Sequence, residues 1–119
     1  MAAGKPGSLI NISSQMAHVG GIDRVVYCGA RHAIEGFTKA MAIELGGYGI
    51  RINTICSTFI RTPLKEPTFS NPNRVKWPTH KIEWGGVGEI TDIMGPAGYL
   101  ASHASAMMTG AHLLIDWAE

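Results

Sequence analysis

Ser14, Tyr27 and Arg31 bring a hydroxyl, a phenol and a fixed positive charge into one short stretch of the chain. A phenol ionises near pH ~10 when unperturbed, so it works as an acid or base at neutral pH only where a cation stabilises its anion. Tyr27 and Arg31 are four positions apart, one helical turn, and share a face of any helix that holds both. The same pair is also a common way to pack a helix surface. Spacing alone leaves both readings open.

The elements around these residues decide whether they meet. Ser8 to Ser14 is short, partly β-branched and preceded by the turn signal Pro6-Gly7, which predicts a buried strand. Gln15 to Arg24, with Gly20-Gly21 at its centre, reads as a loop. From Val25 to Leu45 the apolar residues Val26, Ala30, Ala33, Ile34, Phe37, Met41 and Leu45 recur at helical spacing and predict one core-facing stripe. Glu35 and Lys39 are expected to pair on its flank, and Gly46, Gly47 and Gly49 to stop the helix. Ile50 to Cys56 predicts a second strand. Ser57 to Gly88 holds four prolines and reads as a long irregular excursion. A second helix is expected from Thr91 to about Ser102, a turn at Thr109-Gly110, and a last strand from His112 to Asp116.

Strand, helix, strand in this order is a βαβ unit, which needs parallel strands and a right-handed crossover. The fold class is therefore α/β: a partial doubly wound parallel sheet of three strands with two main helices, in one domain spanning 1–119. Ligands of such sheets bind outside the carboxyl ends of the strands. Here those ends are Ser13-Ser14 and Cys56-Ser57-Thr58.

Composition removes several function classes. Of 119 residues, 45% are hydrophobic and 16% charged, which excludes a disordered chain. A formal charge of +1 gives no footprint for nucleic acid or an anionic membrane. No apolar run approaches the roughly 18 residues of a bilayer span, and the amino terminus does not read as a signal peptide. Cys28 and Cys56 match no disulfide or metal-ligand spacing. His18, His32, His80, His103 and His112 are scattered without an HxH or HExxH pair, so no metal site is expected. A cytoplasmic setting is the default. Cys28, Met107 and Met108 read as core filling, and Trp77 and Trp84 as either a substrate lid or exposed apolar surface.

Ile12-Ser13-Ser14, Tyr27 thirteen positions after Ser14, and a basic residue four after Tyr27 resemble the active-site segment of the short-chain dehydrogenase/reductase family. Ala42 to Ile55, Phe59 to Pro63, Glu89 to Ala106, Thr109-Gly110 and Leu114 to Asp116 are similar to the family's following segments, in the family's order. The resemblance covers nearly the whole chain and corresponds to the carboxy-terminal half of the domain. It implies hydride transfer between NAD or NADP and a small-molecule carbonyl or secondary alcohol. Tyr27 would be the general acid/base and Ser14 would hold the substrate oxygen. Arg31, at the family's lysine position, would bind the nicotinamide ribose and acidify the phenol. Ser57 and Thr58 would border the nicotinamide, with the Ile60 backbone and the Thr62 hydroxyl on its carboxamide. Gly20-Gly21 and Pro63 to Trp84 would line the substrate.

Four departures from the family pattern bear on activity. No GxxxGxG or GxGxxG turn is present, so the pyrophosphate cradle and the NAD/NADP selector are missing. Arg31 replaces lysine and keeps charge but not shape, a planar fork for a point donor. Ser57-Thr58 replaces Pro-Gly. Pro96 interrupts the last helix at a cost of about 3 kcal/mol. Together they suggest a truncated and impaired oxidoreductase chain. The alternatives are a non-catalytic subunit that pairs with full-length relatives through the Val25–Leu45 helix and the last helix and strand, or a non-functional fragment. A half sheet leaves an apolar strand edge uncovered, and two helices cover only part of a parallel sheet. The 119-residue chain made alone is thus expected to form homo-oligomers or precipitate; a monodisperse monomer with a cooperative melt would contradict this.

Overall fold

The computed structural model describes residues 4–65 and 86–116, with positions 67, 70, 72 and 83 between them. Three strands form one parallel sheet, in the order β1 (Gly7–Ser14), β2 (Ile50–Ser57), β3 (His112–Ile115). Helix α1 (Val25–Gly46) joins β1 to β2, and α2 (Thr91–Ala101) precedes β3. These bounds lie within a residue of those expected from hydrophobic periodicity. The stretch expected as a plain loop after β1 begins with a 3-10 turn, Gln15–Ala17, and a second one, His103–Ser105, follows α2. Ser14 and Ser102 cap them: each side-chain oxygen accepts from the amide two residues on. Trp77, Trp84 and most of the Pro63–Trp84 excursion lie outside the described residues, as does the chain beyond Asp116.

Strand β2 is central and its residues Ile52 to Cys56 are buried. Its side chains alternate between the helices. On one face, Asn11 and Ser13 of β1 pair in register with Thr54 and Cys56 of β2. Helix α1 packs here, and the contact is polar. Asn11 Nδ2 donates to Thr38 Oγ1 at 2.9 Å. Thr54 Oγ1 donates to Glu35 Oε2 at 3.0 Å and Cys56 Sγ to Glu35 Oε1 at 3.1 Å.

This seam corrects the orientation expected of α1. The buried residues of the helix are Glu35, Thr38 and Ala42. The stripe expected to face the core points largely to solvent: Val26 is 86% exposed and Phe37 65%. Glu35 is buried against β2 and does not sit on a flank with Lys39. The physical reason is that polar groups on the sheet's inner face demand partners, and on α1 Glu35 and Thr38 supply them. Periodicity reports the strongest apolar stripe, not which stripe finds the sheet. Met107 is likewise fully exposed and not core filling.

On the other face, Arg51 and Ser8 hold the end of α2. Arg51 Nη1 donates to Ser105 O and Ser105 Oγ, both at 2.9 Å, and Nη2 to Leu100 O at 3.1 Å and Ser102 O at 3.2 Å. Ser8 Oγ donates to Leu100 O at 2.7 Å. A cation at a helix carboxyl end satisfies orphan carbonyls and opposes the dipole. This docking accompanies a helix that runs through Pro96 without breaking. Of the three glycines expected to stop α1, only Gly49 takes a positive φ, at 72°. Gly110, at φ 70°, donates its amide to Ile52 O; that left-handed backbone favours glycine, and an added Cβ would also press on Ala42 Cβ at 3.3 Å.

Replacing Arg51 with Met keeps the stem and removes the donors. It should destabilise the chain by about 1–3 kcal/mol, the usual cost of leaving partly buried acceptors unmet. A urea melt that does not move would mean that water serves those carbonyls equally well.

Candidate active site

Ser14 ends β1 and is buried; its Oγ accepts from Met16 N at 3.2 Å. Tyr27 lies in the first turn of α1 and is 40% exposed. Arg31 follows one turn later. Its guanidinium stands 5.0 Å over the centroid of the Tyr27 ring, and its Nη1 donates to Ile12 O at 3.1 Å. The charge therefore covers the face of the ring, a cation–π contact, while the fork reaches back to the strand.

A cavity of about 220 Å³ opens at the carboxyl ends of β1 and β2, lined by Ser14, Gln15, Met16, Arg24, Tyr27, Thr58 and Phe59. Of the residues singled out from the sequence it unites Ser14, Tyr27 and Thr58; Arg31, expected to act with Tyr27, does not line it. Ser57, Ile60 and Thr62 do not line it. Ser57 ends β2 in register with Ser14. Thr58 is buried, and its amide donates to Ile115 O at 3.1 Å. Ile60 forms an isolated parallel bridge with Gly88, with Arg61 N donating to Gly88 O at 2.8 Å. That bridge ties the start of the long excursion to its end. Thr62 lies just beyond it, half-buried. The hydroxyl and phenol can thus face one small molecule, while the backbone after β2 forms a second wall.

Four wall residues escaped the sequence reading: Gln15 and Met16 of the 3-10 turn after β1, Arg24 and Phe59. Arg24 immediately precedes α1 and brings a positive charge to the cavity wall. Phe59 supplies an apolar face. Neither lies at a spacing that marks it; the backbone turn before α1 and the path after β2 bring them in. A larger concavity of about 500 Å³ sits at the opposite ends of the strands, between Pro6, Gly49 and Ala101. It offers no comparable chemistry, because the donors of its Arg51 are engaged by α2.

Beside the cavity the α1 seam ends in three groups from three elements. His18 Nε2 lies 3.4 Å from Cys56 Sγ, and Cys56 Sγ donates to Glu35. The ring of His112 lies 4.3 Å from that of His18. Burial pushes the Cys56 thiol up to about 11, the hydrogen bond to Glu35 adding to this and the Thr54 and Ser13 hydroxyls opposing it. His18 is held below its ordinary value, first by desolvation and then by the neighbouring His112. Cys28, by contrast, is half-buried and touches Met16 Sδ at 3.9 Å.

This arrangement has close counterparts. A family model described as enoyl-(acyl carrier protein) reductase matches residues 1–117. L-xylulose reductase of Bos taurus is 34% identical over 116 residues, 98% of this chain and 48% of that protein. The structure of 4-hydroxyisoleucine dehydrogenase complexed with NADH superposes with a TM-score of 0.91 at 32% identity, covering 98% of this chain and 49% of that one. A gluconate 5-dehydrogenase from Burkholderia cenocepacia J2315, in complex with NADP and tartrate, gives 0.90 at 27% identity, over 98% and 45%. The chain spans about half the length of these relatives. With its parallel sheet, its serine at the end of β1 and its tyrosine one loop later at the start of α1, the chain belongs to the short-chain dehydrogenase/reductase family.

Proposed function

We propose that this chain is the carboxy-terminal half of an oxidoreductase that interconverts a carbonyl and a secondary alcohol with NAD or NADP. The observation that carries the reading is the shared cavity of Ser14 and Tyr27 at the carboxyl ends of the strands. In it Tyr27 Oη gives a proton to the substrate oxygen during reduction and takes it back during oxidation. Ser14 Oγ holds that oxygen by a hydrogen bond. Thr58 and Ser57 border the nicotinamide, and Ile60 and Thr62 reach its carboxamide. The cofactor supplies the hydride. NADH and NADP in the related structures support a nicotinamide dinucleotide, and the name of L-xylulose reductase makes polyhydroxylated ketones the first substrates to assay. Cys28 and Cys56 are free thiols, which supports a reducing, cytoplasmic setting.

Arg31 impairs this chemistry. Its planar fork lies over the phenol ring and bonds to the Ile12 carbonyl, contacts that differ in shape from those of a lysine's point donor. A second reading rests on the outward face of α1. Val26, Phe37 and Ile43 are 86%, 65% and 84% exposed. Such apolar surface favours association with another copy or with a full-length relative, so the chain serves as a subunit whether or not it turns over.

Two experiments test the enzymatic reading. NADH or NADPH at millimolar concentration should raise the melting temperature of the 119-residue chain, since a ligand that binds only the folded state stabilises it. A melt indifferent to both would show that this half holds no nucleotide unaided. In a chimera completed with the amino-terminal half of an NADH-binding relative, Tyr27→Phe should lower ketone reduction by about 10²-fold or more, and Arg31→Lys should raise it. Turnover that ignores Tyr27→Phe would remove the acid/base assignment, and a rate unmoved by Arg31→Lys would remove the argument about that position.

A further inference from the structure

We propose that His18, Glu35 and Cys56 form a zinc-binding site, separate from the cavity of Ser14 and Tyr27. Their ligand atoms, an imidazole nitrogen, a carboxylate oxygen and a thiol sulfur, all lie within 4.8 Å of one another. Zinc arms of about 2.0–2.3 Å in tetrahedral array put ligand atoms roughly 3.3–3.8 Å apart. His18 Nε2 to Cys56 Sγ is 3.4 Å and Cys56 Sγ to Glu35 Oε1 is 3.1 Å. Closing the remaining pair around an ion asks for a shift of an ångström or so. His18 lies on the segment after β1 and is exposed, so it can make that shift.

Two further observations point to a cation. Glu35 is only 7% exposed, and among the described residues it has no lysine or arginine within ion-pair distance; its oxygens receive neutral donors, Thr54 and Cys56. A buried carboxyl group without a counter-charge is costly. The hydroxyl of Ser13, 5% exposed and on the residue paired in register with Cys56, has no hydrogen-bond partner. A thiolate on a metal would accept from that hydroxyl and resolve it, as outer-shell donors do around metal-bound sulfur.

The donor set selects the ion. A thiolate with an imidazole suits zinc, and a carboxylate completes the three protein ligands of an open tetrahedral site. A fourth position would be left for water. Binding replaces the S–H bond of Cys56 with a metal–sulfur bond, and the proton goes to solvent; no redox change is involved. The ion would tie the segment after β1, helix α1 and strand β2 together at one point. The expectation of no metal site rested on spacing along the chain, and these ligands come from three elements that only the fold brings together.

Cobalt(II) is the probe, because cobalt–thiolate bonds absorb by charge transfer in the near ultraviolet. Titration of the full chain should saturate at one ion per chain with such a band, and zinc should displace it. His18→Ala changes an exposed side chain and should not disturb folding, checked by far-ultraviolet circular dichroism. It should weaken cobalt binding by more than the roughly 10–100-fold that loss of an outer-shell partner costs. Cys56→Ser should abolish the band, while Cys28→Ser should leave it intact. No saturable band, a band that depends on Cys28, or an affinity unmoved by His18→Ala would each overturn the proposal.

Discussion

One carboxyl group between helix and sheet fixes the geometry of everything else. Glu35 accepts from Thr54 and from Cys56 on the central strand, and Asn11 reaches Thr38 one turn further along α1. Hydrogen bonds are directional, so these contacts set the rotation of α1 about its own axis in a way that apolar packing would not. With 22 residues in one straight element, a rotation fixed at Glu35 is also fixed at Tyr27 and Arg31, two turns and one turn upstream. The phenol therefore faces the end of β1 because the carboxyl faces β2.

The same rotation decides what the helix shows to solvent. Turning Glu35 and Thr38 inward turns Val26 and Phe37 outward. The polar seam and the exposed apolar stripe are two sides of one constraint. A helix that used its apolar stripe for the sheet would have buried more carbon, but it would have left Asn11, Thr54 and Cys56 without partners. The exposed stripe is thus the counterpart of an ordered interior.

Much of this was legible in the residues. The strand and helix bounds followed from periodicity, because β2 is a buried parallel strand and α1 is long. Ser14 and Tyr27 were found by type and spacing, and the cavity unites them. The rotation of α1 was not legible, since the apolar moment of a helix is read against an assumed apolar sheet and this sheet face is polar. Arg24, Phe59 and the His18–Glu35–Cys56 cluster were hidden for a different reason. They are neighbours through register and chain reversal, which pair Ser13 with Cys56 and return the segment after β1 over β2. The place of Arg31 was foreseen, but its stacking on the ring was not, because that depends on how far the planar fork must reach to find the Ile12 carbonyl.

Both helices are held by polar contacts, α1 through Glu35 and Thr38 and α2 through Arg51. The apolar interior among the described residues is thin: Ile52, Ile55 and Leu100 are its large members, with Met16, Ala17, Ala42 and Cys56 beside them. Directional bonds give a defined arrangement but each adds little net stability, because the unfolded chain makes the same bonds to water. Burial of carbon is what separates folded from unfolded chains in free energy. Here the architecture of the site is specified from within, by bonded side chains on a parallel sheet. The exposed Leu9 and Ile12 of β1 and the apolar face of α1 add nothing to that term. Ser14 and Tyr27 are therefore held facing each other by the register of the sheet and the polar seam of α1, more than by the carbon buried beneath them.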